Sequence, residues 1–92
     1  MKQQKMVITI HRGQNGVDRY WVTAPDGDKT CFLYGVENCA VLASLMREFR
    51  EDGGLIEIRP DEKLHLDIQA DKDFYVEMVS MITLAPGKKL AV

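Results

Sequence analysis

The spacing of apolar residues changes once along this chain, and that change constrains the fold more than any other feature of the sequence. Residues 6–11, 19–23 and 29–34 alternate between apolar and polar side chains, which is typical of half-buried β-strands. Residues 36–52 instead place apolar side chains at helical spacing along one stripe. With 92 residues there is room for one domain. These features predict a single α+β domain that begins with three strands and a helix.

Turn-forming residues separate the predicted strands and set their pairing. A three-residue loop at positions 14–16 collects β-branched residues on one face and pairs Ile8 with Val22. The second turn, at positions 25–28, contains proline and glycine and is interpreted as a four-residue loop. That loop sets Val22 beside Cys31.

The second half of the chain predicts further strands and a final helix. Residues 55–59 and 63–69 alternate again and are interpreted as two strands. Residues 72–84 are compatible with either a helix or a strand, and their length favours a helix. The prediction is therefore an α+β domain, residues 1–92, in which an antiparallel β-sheet of four or five strands packs against one or two helices. Residues 86–92 are expected to form a loose tail.

This register predicts two unlike sheet faces. One face is apolar and is covered by the helix; it consists of Met6, Ile8, Ile10, Tyr20, Val22, Cys31 and Leu33. The other face carries aromatic and basic side chains, among them His11, Arg19, Trp21, Phe32 and Tyr34. Either the C-terminal element covers this second face, or the face is an exposed contact patch. Aromatic and arginine side chains dominate interface energetics, so Arg19, Trp21, Phe32 and Tyr34 are the candidate anchors.

Acidic residues are concentrated in the middle of the chain. Ten of the fourteen lie between Glu37 and Asp73, and residues 35–73 carry ten acids against five bases, a net charge of −5. An isoelectric point near 5.6 disfavours a domain whose main role is to grip nucleic-acid backbone. An acidic surface can instead dock on a basic protein groove, where complementary charge speeds association. The candidate charge partners are Glu48, Glu51, Asp52, Asp61 and Glu62.

The sequence contains no recognisable catalytic or metal-binding motif. His11, His65, Cys31 and Cys39 show neither a nucleophile–base pattern nor paired metal-ligand spacing. Both cysteines are interpreted as reduced and buried. No stretch suits a signal peptide or a membrane helix. We therefore expect a soluble, cytoplasmic protein that is not an enzyme and uses no metal and no cofactor.

The small size, the charge distribution and the strand-strand-strand-helix-strand order of residues 6–59 resemble phage-encoded anti-CRISPR proteins, especially inhibitors of type I effector complexes. The resemblance is one of architecture and includes no residue motif. It implies a small non-enzymatic inhibitor that binds a CRISPR effector complex and blocks nucleic-acid binding by occupancy. The implied partner is a ribonucleoprotein, with RNA contact, in the cytoplasm of an infected bacterium.

Two alternative functions accompany this one. Residues 18–26, Asp-Arg-Tyr-Trp-Val-Thr-Ala-Pro-Asp, are similar to the opening of HicB-type antitoxins. That similarity implies a partial ribonuclease-H-like fold that neutralises a toxin by binding it, although residues 27–31 depart from the family's turn. The second alternative is a small nucleic-acid-binding domain in which Trp21 and Phe32 stack on bases. The sequence leaves the oligomeric state open.

Overall fold

The computed structural model describes residues 3–85 and confirms the α+β class. Within these residues, four strands form one sheet and two helices pack against it. The elements in chain order are β1 Lys5–His11, β2 Arg19–Thr23, β3 Lys29–Leu33, α1 Val36–Glu51, β4 Leu55–Pro60 and α2 Gln69–Thr83. The predicted tail, residues 86–92, lies outside the described residues.

The sheet has the strand order β3-β2-β1-β4 and is mixed. The first three strands are antiparallel neighbours, whereas β4 runs parallel to β1. Helix α1 explains this arrangement, because it carries the chain from the β3 edge across the sheet to the far side of β1. A crossover of this kind brings the next strand back in the same direction as the first.

Residues 63–69 do not form the predicted fifth strand. Residues 63–68 lie in turns, closed by hydrogen bonds from Leu64 N to Asp61 O and from Ile68 N to His65 O, both 2.9 Å, and Gln69 is the first residue of α2. Leu64 is buried, but Leu66 and Ile68 are 40% and 50% exposed. The alternation in this segment was therefore a misleading signal, because only one of its apolar side chains enters the core.

The final element is a helix, as its length predicted, and it packs on the same sheet face as α1. The Tyr20 hydroxyl donates to the backbone oxygen of Met78 at 3.0 Å, which ties β2 to α2. Burial raises the pKa of Tyr20, and the contact with the Cys39 sulfur acts in the same direction. The core between the helices and the sheet contains Met6, Ile8, Ile10, Tyr20, Val22, Cys39, Leu42, Met46, Leu64, Met78 and Ile82.

The pairing of the first hairpin is confirmed, with Ile8 opposite Val22. The predicted pairing of the second hairpin was wrong by one residue. Val22 lies opposite Thr30, and Cys31 lies opposite Trp21. The loop has three residues, 25–27, closed by a hydrogen bond from Ala24 N to Asp28 O at 2.8 Å. Gly27 makes this shorter loop possible, because its φ of 96° lies in the left-handed region.

A shift of one residue moves every side chain of β3 to the opposite face. Phe32 therefore packs against the core, while Leu33 is half exposed. Cys31 is exposed, so the expectation that both cysteines are buried was right only for Cys39. Within residues 3–85, no helix is long and apolar enough to cross a membrane.

Candidate binding face of the sheet

In the part of the chain that the structure describes, one face of the sheet is covered by neither helix, and we call it the open face. It presents the alternate residues of all four strands, and Trp21 lies on the inner strand β2 with Thr9 and Cys31 beside it. Trp21 is 36% exposed. The open face consists of Lys5, Val7, Thr9, His11, Arg19, Trp21, Thr23, Lys29, Cys31, Leu33, Leu55, Glu57 and Arg59.

The open face is positively charged, although the chain as a whole carries −2. Four of its residues are lysine or arginine and one is acidic, so its formal charge is +3 with histidine neutral. The core face of the same strands carries no charged residue. All fourteen acidic residues lie in the described part of the chain, and Glu57 is the only one located in a strand.

Glu57 is held between two cations. The Lys5 ammonium donates to one carboxylate oxygen at 2.9 Å, and an Arg59 guanidinium nitrogen lies 3.5 Å from the other. The hydrogen bond and charge of Lys5, with Arg59 adding to them, hold the pKa of the Glu57 carboxyl below its usual range. Among residues 3–85, Arg19 and Lys29 have no carboxylate within ion-pair distance. Their charges are therefore free to interact with a bound molecule.

A shallow depression of about 350 Å³ lies beside Trp21. Lys29 and Arg59 stand on its walls, and Asp61 contributes the acidic side chain. Asp61 is engaged with the His11 imidazole, whose Nδ1 lies 2.9 Å from a carboxylate oxygen. An aromatic ring bordered by cations is the arrangement expected of a surface that binds an anionic or π-rich partner.

The structure separates the four predicted anchors. Arg19 and Trp21 lie together on the open face, two positions apart on β2. The register of β3 places Phe32 on the core face, where it packs against the core. Tyr34 follows β3, is 40% exposed, and its ring centroid lies 6.4 Å from that of Tyr20. The aromatic part of the open face is therefore Trp21 alone.

The predicted acidic partners form two groups rather than one patch. Glu48 and Glu51 are exposed on the last turns of α1, and Asp52 follows them. Asp61 and Glu62 follow the other end of β4, where Asp61 N donates to Ile10 O. The six residues of β4 separate the groups by roughly 20 Å.

Sequence reasoning missed Lys29 and Arg59 as neighbours of Trp21. Arg59 lies inside the segment that is acidic by residue count, so a sum along the chain conceals its position. The alternation of side chains along each strand places Arg59 on the open face once β4 is paired parallel to β1. Arg59 then lies opposite Thr9, and Thr9 lies opposite Trp21. Only the strand pairing brings these positions together.

Comparison with known proteins gives no match: no protein-family model, no curated protein and no solved structure is significantly similar to this chain. Nor do residues 3–85 contain a group of three His, Cys, Asp or Glu side chains placed to hold a metal ion.

Proposed function

We propose that this domain is a non-enzymatic binding protein that inhibits a CRISPR effector complex by occupancy, and that it docks through the open face. The observation that carries the proposal is the open face itself. Both helices pack on the opposite side, and the uncovered side presents Trp21 among cationic residues. Isolated aromatic side chains of this kind anchor interfaces, and charges around them set specificity and association rate.

The charge distribution favours a ribonucleoprotein as the partner. The cationic open face is complementary to RNA phosphates, and the acidic end of α1, at Glu48, Glu51 and Asp52, is complementary to a basic protein groove. A ribonucleoprotein presents both kinds of surface side by side. A domain with one cationic face and one separate acidic end can contact both at once.

Binding to a purified type I effector complex tests the proposal. We expect Trp21→Ala to weaken binding about 30-fold, which corresponds to the ~2 kcal/mol typical of a buried aromatic anchor. Val76→Ala is the matched control, because Val76 is 53% exposed but lies on α2, on the helical side of the molecule. Equal affinities for the wild type, Trp21→Ala and Val76→Ala would contradict the proposed docking surface.

A HicB-like antitoxin is the second candidate, and the sheet topology favours it. Three antiparallel strands, a crossover helix and a fourth strand parallel to the first make up a unit compatible with a partial ribonuclease-H-like fold. An antitoxin would bind a toxin and leave the effector complex unbound. The effector-binding measurement therefore separates the two candidates, because the antitoxin predicts no interaction for the wild-type protein.

A further inference from the structure

A second hollow, of about 410 Å³, opens at the end of the sheet where β1 and β2 are joined, and we call it the cationic depression. Four basic side chains from three chain segments line it: His11 and Arg12 at the end of β1, Arg19 at the start of β2, and Lys63 after β4. The remaining wall is the β1–β2 loop. His11 and Arg19 are direct cross-strand partners on the open face, so the depression is continuous with that face.

Two of the four basic side chains are held in place by residues that do not line the depression. The His11 ring nitrogen Nδ1 lies 2.9 Å from an Asp61 carboxylate oxygen. Arg12 donates to the Asp71 carboxylate at 2.8 Å and lies 4.2 Å from the centre of the Phe74 ring. These contacts hold the two side chains in the wall and neutralise the charge of Arg12. No carboxylate of the described residues lines the depression itself.

Arg19 and Lys63 provide the uncompensated charge. Neither forms an ion pair with any residue between Gln3 and Ala85. The Nε atom of Arg19 is buried, with less than 1 Å² accessible, and has no hydrogen-bond acceptor among residues 3–85. Because this atom is shielded, an anion in the depression would accept its hydrogen bonds from the terminal Nη atoms of the guanidinium.

Phosphate is the anion whose geometry fits this pair. A guanidinium fork can donate two parallel hydrogen bonds to phosphate oxygens, and a lysine on a second wall can contact a third oxygen. Trp21 lies two positions beyond Arg19 on the same face, roughly 7 Å away along the strand. A phosphate in the depression would therefore leave the adjoining base or sugar beside the indole ring.

We propose that the cationic depression binds a phosphate group of a single-stranded nucleic acid, with Arg19 and Lys63 as its ligands and Trp21 as the stacking surface for a neighbouring base. This inference does not rest on the identity of the protein partner. It places nucleic-acid contact at one end of the open face, even though the chain as a whole is acidic. Base stacking on an aromatic ring tolerates any base, so the site binds single-stranded nucleic acid without sequence preference.

Titration of the 92-residue chain with a fluorescently labelled ten-nucleotide single-stranded RNA, and separately with inorganic phosphate, tests this site. We expect Arg19→Gln and Lys63→Gln each to weaken RNA binding about tenfold, because each removes a charge-assisted hydrogen bond. Each variant should also reduce the slope of the logarithm of RNA affinity against the logarithm of salt concentration by about one. Arg47→Gln is the matched control, because Arg47 is exposed on α1, a helix that contributes no residue to the lining of the depression. Trp21→Ala should weaken RNA binding and leave phosphate binding unchanged.

Three results would overturn the inference. The first is no binding of RNA by the wild-type protein. The second is RNA binding that Arg19→Gln, Lys63→Gln and Arg47→Gln weaken equally. The third is binding of inorganic phosphate without RNA, which would reveal a small-anion site in place of a nucleic-acid site. Lys63 is exposed, so Lys63→Gln stays informative even if Arg19→Gln disturbs the fold. RNA binding with no effector binding would reject the proposed inhibition and leave this site standing.

Discussion

At the scale of single residues, Tyr20 and Trp21 show how neighbours on one strand serve opposite purposes. Tyr20 is fully buried and joins the sheet to α2, whereas Trp21 points to the open face. Their alternation is the ordinary consequence of the two-residue period of a strand. The polar tip of Tyr20 has its hydrogen-bond acceptor inside the core, which is what allows a phenol to be buried there.

Replacement of Tyr20 by Phe tests this buried hydroxyl. We expect the free energy of unfolding at neutral pH to fall by ~1 kcal/mol, because the bond to Met78 O is lost. Above pH ~10 the unfolded chain releases the phenol proton while burial keeps it bound in the native state, so wild-type stability should fall as pH rises. Below that pH this group contributes no pH dependence.

Urea unfolding at pH 8 and pH 10.5 measures both effects. The fall in stability between the two pH values should be smaller in Tyr20→Phe than in the wild type. Tyr34→Phe is the control, because the Tyr34 side chain is 40% exposed. An equal fall in the wild type and Tyr20→Phe would show that the Tyr20 phenol does not contribute to alkaline destabilisation.

At the scale of elements, the register of β3 decides what the open face contains. The three-residue loop with Gly27 places Cys31 opposite Trp21 and sends Phe32 to the core. A four-residue loop would reverse both placements. Because the two loops differ by one residue, the length of this turn determines whether Phe32 joins Trp21 on the open face or packs in the core.

Thiol labelling tests the β3 register. We expect one rapidly reacting thiol per native chain, since Cys31 is exposed and Cys39 is 1% exposed. Cys31→Ser should abolish the rapid reaction, while Cys39→Ser should preserve it. Labelling of Cys31 should also change Trp21 fluorescence, because directly opposed side chains lie within about 5.5 Å at Cβ. Two protected thiols in the native protein would support the four-residue loop instead.

At the scale of the whole molecule, basic and acidic residues are concentrated on different structural elements. The strands expose a cationic face, while the helices and loops carry thirteen of the fourteen acidic residues. The net charge of −2 therefore describes neither surface. A partner meets a basic surface at the sheet and an acidic one at the C-terminal end of α1, and its orientation is set by which of these it approaches.

Charge reversal at each surface separates their contributions to effector binding. We expect the double variant Arg19→Glu with Lys29→Glu to weaken binding more than tenfold at low salt, because it turns the open face from +3 to −1 and repels RNA phosphates. Reversal of Glu48, Glu51 and Asp52 to Lys should act mainly on the association rate, since exposed charges away from the Trp21 anchor act mainly by electrostatic steering. The double variant Arg47→Glu with Lys72→Glu controls for net charge, because it makes the same change of −4 at exposed positions on the two helices. Equal effects of this helix variant and the open-face variant would contradict a localised cationic contact.

Local pattern was sufficient for most of the elements. Three alternating segments and a helical stripe predicted β1 to β3 and α1, and length predicted α2. The first hairpin pairing followed because only one register gathers Ile8, Ile10 and Val22 on one face. In each of these cases the information lies within a few neighbouring residues, where periodicity and turn chemistry act.

The candidate site depended on contacts between distant segments. The helical stripe of α2 could pack on either side of the sheet, and its choice of the α1 side left Trp21 uncovered. The β3 loop was compatible with two lengths, because Cys31 and Phe32 are both acceptable core residues. Arg59 lies on the open face because β4 pairs with β1. Lys63 lies in the same depression as Arg19 because the turn after β4 is hydrogen-bonded to Ile10. Periodicity specifies which stripe is apolar, whereas burial against a particular neighbour is settled only when the whole chain packs.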